Sequence, residues 1–242
     1  MDFLELSYGT HELQTVHYVK TDSSLPWILF IHGGAWRDPS NTWKDGLHCL
    51  STLHSRYGVS IASVDYRLAP ESQKDDFPKD IASAIVQLRK MGMVDYVIIG
   101  HSAGAFIALQ LPQFTKFLPS NVFGLDGIYD LRSLVLEYPS YNEFVEFAFG
   151  SDSENWPDIL TSSDRYSGNL ALIQSAEDEL LSMAQTTRAS LFFPNAPVHI
   201  ISGLHEDVYK GPEIITIMSS FLDSVGKATE PTTTLRIVDI SS

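Results

Sequence analysis

The sequence predicts an α/β fold: a mostly parallel central sheet flanked by helices, with a small cap insertion. Three observations in the 242 residues point there. Short apolar runs alternate with longer helical stretches. Several runs, Trp27-Ile28-Leu29-Phe30-Ile31 among them, are continuously apolar, as strands buried on both faces are. The intervening stretches stop at glycine or proline.

In chain order, Val16–Lys20 and Trp27–His32 read as strands. A helix over Thr42–Tyr57 ends before Gly58, whose missing Cβ permits the left-handed stop. Val59–Asp65 is the next strand. A helix over Asp80–Met91 takes Asp80 as its N-cap and ends at Gly92. The strand Tyr96–Gly100 leads into a helix at Ala103–Leu111, which stops before Pro112. The strands Asn121–Leu125 and Leu170–Ser175 flank an aromatic, acidic excursion, 130–168, carrying Tyr138, Tyr141, Phe144, Phe147, Phe149 and Trp156. It is expected to cap the C-terminal ends of the strands, where open α/β sheets bind ligands. The helix Leu181–Phe193 halts before Pro194, Val198–Ser202 is a strand, and a helix over Pro212–Val225 has proline at its first position. Residues 1–225 thus form one domain and 226–242 a tail, in which Leu235-Arg236-Ile237-Val238 could add an edge strand.

Composition excludes several classes of partner. Sixteen Lys and Arg against 30 Asp and Glu give a net charge of −14. That argues against a phosphate backbone and against a polybasic membrane contact, so neither nucleic acid nor membrane is an expected partner. The one cysteine, Cys49, rules out an intrachain disulfide or a cysteine-rich zinc site. Scattered histidines, and the absence of a Walker or G-x-G-x-x-G loop, give no metal and no cofactor to expect. With no secretory leader and no apolar run near the ~20 residues of a membrane helix, a cytoplasmic protein is expected. The oligomeric state is open; a homodimer is one option.

Gly100-His101-Ser102-Ala103-Gly104 lies between a predicted strand and a predicted helix, the context a G-x-S-x-G nucleophile elbow requires. A serine hydroxyl needs a base, and the base needs an orienting acid. Of the two histidines that follow, His199 alternates with apolar residues inside a strand. His205 sits in the loop beyond it and is the expected base. The acid comes from Glu177, Asp178 and Glu179, of which Asp178 is preferred although spacing does not exclude its neighbours. Upstream, His32-Gly33-Gly34-Ala35-Trp36 ends a strand. Its glycines let backbone N–H groups of Gly34 and Ala35, with that of Ala103, face a developing oxyanion. His32 is expected to pin this loop by hydrogen bonds.

The elbow, the His-Gly-Gly loop and Asp65-Tyr66-Arg67-Leu68-Ala69-Pro70-Glu71 together resemble the hormone-sensitive-lipase-like branch of the α/β-hydrolase fold, over roughly Trp27 to Val225. Within that branch, His32-Gly33-Gly34-Ala35-Trp36 is similar to the HGGxW motif of the kynurenine formamidases. The runs Ser175–Leu181 and Gly203–Lys210 are similar to those of fungal members. The resemblance implies Ser102 as nucleophile, Asp178 as acid and His205 as base, and so selects Asp178 over its neighbours. It implies a small-molecule substrate, N-formyl-L-kynurenine, cleaved to L-kynurenine and formate in tryptophan breakdown toward NAD. Trp36 then either stacks on the kynurenine ring or packs beneath the cap. Arg67, Arg132 and Arg165 are candidates for the substrate carboxylate, each with a structural alternative. A short-chain carboxylesterase would use the same triad, and a non-catalytic binding protein of this fold is the third reading.

Overall fold

The computed structural model describes residues 1–229, so Leu235–Val238 and the rest of the tail from 230 lie outside the described residues. The first half contains β1 (Leu4–Ser7), β2 (Thr15–Val19), β3 (Trp27–Ile31), α1 (Leu47–Tyr57), β4 (Ile61–Val64), α2 (Asp76–Lys90) and β5 (Tyr96–His101). The second contains α3 (Ala103–Gln110), β6 (Asn121–Leu125), α4 (Leu131–Glu137), α5 (Asn142–Phe149), β7 (Asn169–Ser175), α6 (Met183–Phe192), β8 (Val198–Ile201) and α7 (Pro212–Thr229).

The strands form one sheet in the order β1-β2-β4-β3-β5-β6-β7-β8. The β1–β2 and β2–β4 pairs are antiparallel, and β3 to β8 run parallel. Every residue of β3 and β5 is buried, which is why their sequences do not alternate. Alternate side chains still divide between two cores. Leu29, Ile31 and Ile98 pack with Ile81 and Ile85 of α2 and Phe106 of α3. Ile28, Phe30, Val97 and Ile99 face Leu50 and Leu53 of α1 and Met218 and Leu222 of α7.

Five elements differ from the expectation. β1 was not foreseen; it is a four-residue edge strand whose side chains stay largely exposed. Residues 42–46 precede α1 rather than belonging to it, because the Trp43 N–H donates to Asp65 Oδ1 at 2.6 Å. Asp80 is not an N-cap. It lies inside α2, nearly fully buried, and holds Arg67 in a two-pronged ion pair at 2.8–3.2 Å. α2 starts earlier, at Asp76, with Pro78 in its first turn, where a missing N–H costs nothing. α6 starts at Met183, with Ser182 accepting from the Ala184 N–H. α7 continues past Val225 to Thr229.

The excursion between β6 and β7 folds into α4 and α5 with short 3₁₀ turns. Its Phe144, Val145, Ala148 and Phe149 are buried, joining the core on the α2–α3 side. Because β6 ends at the same edge as β5, this insertion stands over the C-terminal end of the sheet.

Candidate active site

At the end of β5 the chain turns sharply into α3. Ser102 takes φ 51° and ψ −117°, a conformation that costs a non-glycine residue roughly 1–3 kcal/mol. The surroundings enforce it: its N–H donates to Leu125 O at 2.9 Å, and its carbonyl accepts from Ala105 and Ile128. Gly104 makes the turn possible, since a Cβ there would lie 2.2 Å from the Ile31 carbonyl oxygen. The result lifts the Ser102 side chain off the sheet, with the α3 N-terminus behind it.

The loop after β3 is held from behind. Nδ1 of His32 donates to Gly33 O at 3.0 Å, and the Tyr66 hydroxyl donates to both His32 O (3.1 Å) and Gly33 O (2.9 Å). A trans peptide sets its C=O and N–H on opposite sides, so fixing Gly33 O inward turns the Gly34 N–H outward. Burial lowers His32 to about 4, so the ring is neutral; its 3.6 Å approach to Asp65 Oδ1 is not an ion pair. Gly34, Ala35 and Trp36 all have positive φ, a tight left-handed turn closed by the Arg37 and Asp38 N–H groups on Gly34 O. Among the described residues the N–H groups of Gly34, Ala35 and Ala103 donate to no protein acceptor.

Trp36 does not stack on a ligand. It is fully buried, edge-on to Phe106 (5.7 Å) and Phe149 (4.8 Å), and lines no part of the cavity. The positive φ at Trp36 swings the ring under the cap instead, where it anchors the turn.

His205 and the acids come from the loops after β8 and β7. Asp178 Oδ2 lies 2.8 Å from His205 Nδ1. Glu177 and Glu179 meet the same loop differently: Glu177 accepts from the Gly203 N–H and Glu179 from the His205 N–H. His101 completes the frame, its Nε2–H donating to His205 O at 3.0 Å. Burial works against the charged form of His205, but the hydrogen bond and charge of Asp178 outweigh it and raise its pKa above the usual imidazole value. Burial likewise opposes ionisation of Asp178, yet His205 and the N–H groups of Leu180 and Leu181 bring it below the ordinary carboxylate range. His199 sits on β8 and faces a separate concavity.

Ser102 and His205 line one cavity of about 440 Å³ with Gly34, Ala35, Ile128, Tyr141, Phe144 and Leu181. Its mouth carries Arg37, whose guanidinium lies 5.5 Å over the Phe144 ring and makes no ion pair among the described residues. Sequence reasoning missed Arg37. The three arginines it named lie elsewhere: Arg67 on Asp80, Arg132 on the Glu154 carbonyl, Arg165 beside Phe193. Among the described residues two groups of potential metal donors occur, His101–His205–Glu206 and Asp126–Asp178–His205. Both depend on imidazole nitrogens, and hydrogen bonds already engage His101 Nε2 and His205 Nδ1.

A profile of the α/β hydrolase fold matches residues 28–205. The kynurenine formamidase of Meyerozyma guilliermondii is 35% identical, across 91% of this chain and 93% of its own length. This chain belongs to the kynurenine formamidase family. The kynurenine formamidase of Saccharomyces cerevisiae is 32% identical over 77% of this chain and 85% of its own. Among solved structures, esterase B of Lactobacillus rhamnosis superposes with a TM-score of 0.70 at 16% identity, covering 94% of this chain and 87% of that one. A likeness that distant shows the shared fold alone. In this member of the kynurenine formamidase family, the matched span runs from β3 to His205, from one wall of the cavity to the other. Among the described residues no helix is long and apolar enough to cross a membrane.

Proposed function

We propose that this protein is a serine hydrolase that deformylates N-formyl-L-kynurenine, with Ser102 as nucleophile, His205 as base and Asp178 as its orienting acid. The observation that carries the substrate is the 35% identity to a kynurenine formamidase over nearly its whole length. The site geometry supports the chemistry. His205 Nε2 takes the proton as Ser102 Oγ bonds to the formyl carbon, and the N–H groups of Gly34, Ala35 and Ala103 face the oxyanion. His205 then returns that proton to the aryl nitrogen as the C–N bond breaks and L-kynurenine leaves. Water, deprotonated by the same imidazole, attacks the formyl ester and releases formate.

A formyl group has only hydrogen on its acyl side. It therefore needs no acyl pocket, which suits a cavity whose oxyanion turn is backed by the buried Trp36 ring. The aniline nitrogen shares its lone pair with the ring, so the amide is weaker than a peptide bond. Arg37, which makes no ion pair among the described residues, is suited to the substrate carboxylate at the mouth.

The test compares kcat/KM for N-formyl-L-kynurenine with that for p-nitrophenyl acetate, using Ser102→Ala as the blank. A preference for the formamide by orders of magnitude is expected. Brisk ester cleavage without deformylation would overturn the reading and leave a short-chain carboxylesterase.

A further inference from the structure

Asp126, the residue after β6, is a buried acid that the mechanism above does not use. It is fully buried and takes φ 42°, in the left-handed region, although it is not a glycine. Its N–H donates to Ile173 O at 2.8 Å and its Oδ1 accepts the Ser175 N–H at 2.6 Å, so neighbouring β7 fixes it on two sides. Its Oδ2 accepts from no group among the described residues. That atom lies 3.9 Å from His205 Nδ1, the nitrogen that Asp178 Oδ2 meets at 2.8 Å. Two carboxylates therefore converge on one N–H, which has one hydrogen to give.

Two buried anions this close repel, and the arrangement is stable when one of them holds a proton. Hydrogen-bond counting shows which. Asp178 accepts from four donors: the N–H groups of Leu180 and Leu181, Gln174 Nε2 and His205 Nδ1. Asp126 accepts from one, and the ionisable side chains bearing on it are Asp178 and His205, with the Tyr129 hydroxyl alongside. Asp178 is thus the ionised member and Asp126 the neutral one, with an oxygen of each carboxyl and a ring nitrogen of His205 all within 4.8 Å of one another. We propose that Asp126 is a positioning residue: protonated on Oδ2, it donates to Asp178 and holds that carboxylate on Nδ1 of His205. The inference rests on the triad assigned above. Burial, with the Ser175 N–H opposing and the charge of Asp178 adding, raises Asp126 to about 7. Below that pH the donor is present. As pH rises through it the donor is lost, and a second negative charge appears beside His205, favouring the imidazolium that cannot act as base.

Asparagine tests this directly, because its amide keeps an oxygen for Ser175 and carries a permanent N–H for Asp178. The pH dependence of kcat/KM is measured for wild type, Asp126→Asn and Asp126→Ala, on N-formyl-L-kynurenine and on p-nitrophenyl acetate. The labelling rate of Ser102 by a fluorophosphonate is measured in parallel. Asp126→Asn should match wild type within about twofold at pH 6 and exceed it roughly threefold or more by pH 8.5. Asp126→Ala should lose about tenfold or more in kcat at every pH, with KM unchanged. Superimposable wild-type and Asp126→Asn profiles, or equal losses in both variants, would overturn the proposal; if the alanine variant does not fold, the first comparison decides. Fluorophosphonate labelling without deformylation would show that the substrate reading failed while the pH comparison still stood on labelling rates. No labelling of wild type would show that the triad assignment itself failed, and the positioning role with it.

Discussion

The two ends of the sheet make an instructive pair. The smaller hollow, about 440 Å³, lies at the C-terminal ends of β3, β5, β6, β7 and β8. A larger one, about 940 Å³, lies by the N-terminal ends of β6, β7 and β8, between Tyr166, Phe192, Phe193 and the α7 residues Ile217 and Phe221. Size favours the second, but the physics of the backbone favours the first. Positive φ at Ala35, Trp36, Ser102 and Asp126 is concentrated where β3, β5 and β6 end. No non-glycine lining the larger hollow shares it. Strain of this kind persists only where packing over-determines it, and it gathers where side chains must be aimed. Volume measures where a molecule could fit; enforced geometry measures where something could be done to it.

That contrast can be broken or sharpened, beginning with the largest effect. Ser102→Ala should lower kcat for N-formyl-L-kynurenine by at least ~10³-fold while leaving thermal unfolding nearly unchanged, as the side chain bears no structural hydrogen bond among the described residues. Trp36→Ala should destabilise the fold by about 3–5 kcal/mol, read as a lower midpoint in denaturant, because it empties a fully packed site. A change in KM alone, with stability intact, would return Trp36 to the substrate. Arg37→Ala should raise KM for the carboxylate-bearing formamide about tenfold and leave the uncharged ester unaffected. The rate should also carry the sign of His205. Since its pKa is raised, kcat/KM should climb as pH passes through a value above the ordinary 6.5, and fall away below it as the imidazole protonates. At the opposite edge, His199→Ala should change kcat/KM less than about twofold. A large loss there would break the comparison.

Much of this was legible in the sequence because the signals are local. The elbow needs only a strand, two glycines and a helix in succession, and the loop of Gly33 and Gly34 needs only a strand end. The misreadings share a cause: each concerns a direction or a partner far along the chain. Asp80 looks like a cap until Arg67, thirteen residues earlier, is brought against it by β4 and α2. Trp36 is open to either of two readings, and it is the sign of φ that selects packing beneath the cap. Arg37 stands unremarked beside a more conspicuous motif, and its meaning depends on Phe144 arriving from the insertion. Asp126 becomes a neighbour of Asp178 and His205 only when β6, β7 and β8 lie side by side. Glu177 and Glu179 resemble a helix-end acidic cluster, yet they fasten the loop that carries His205.

The clamp on the Gly33 carbonyl has a consequence for how mutations in this protein will be interpreted. The Tyr66 hydroxyl reaches that oxygen from the rear, fully buried and out of reach of any substrate. A turn held this way is assembled before anything enters, so recognition proceeds without folding work at the moment of encounter. Tyr66→Phe would release that hold while leaving every lining side chain in place. In a genetic screen it would score as an active-site lesion, although a map of ligand contacts would never include it.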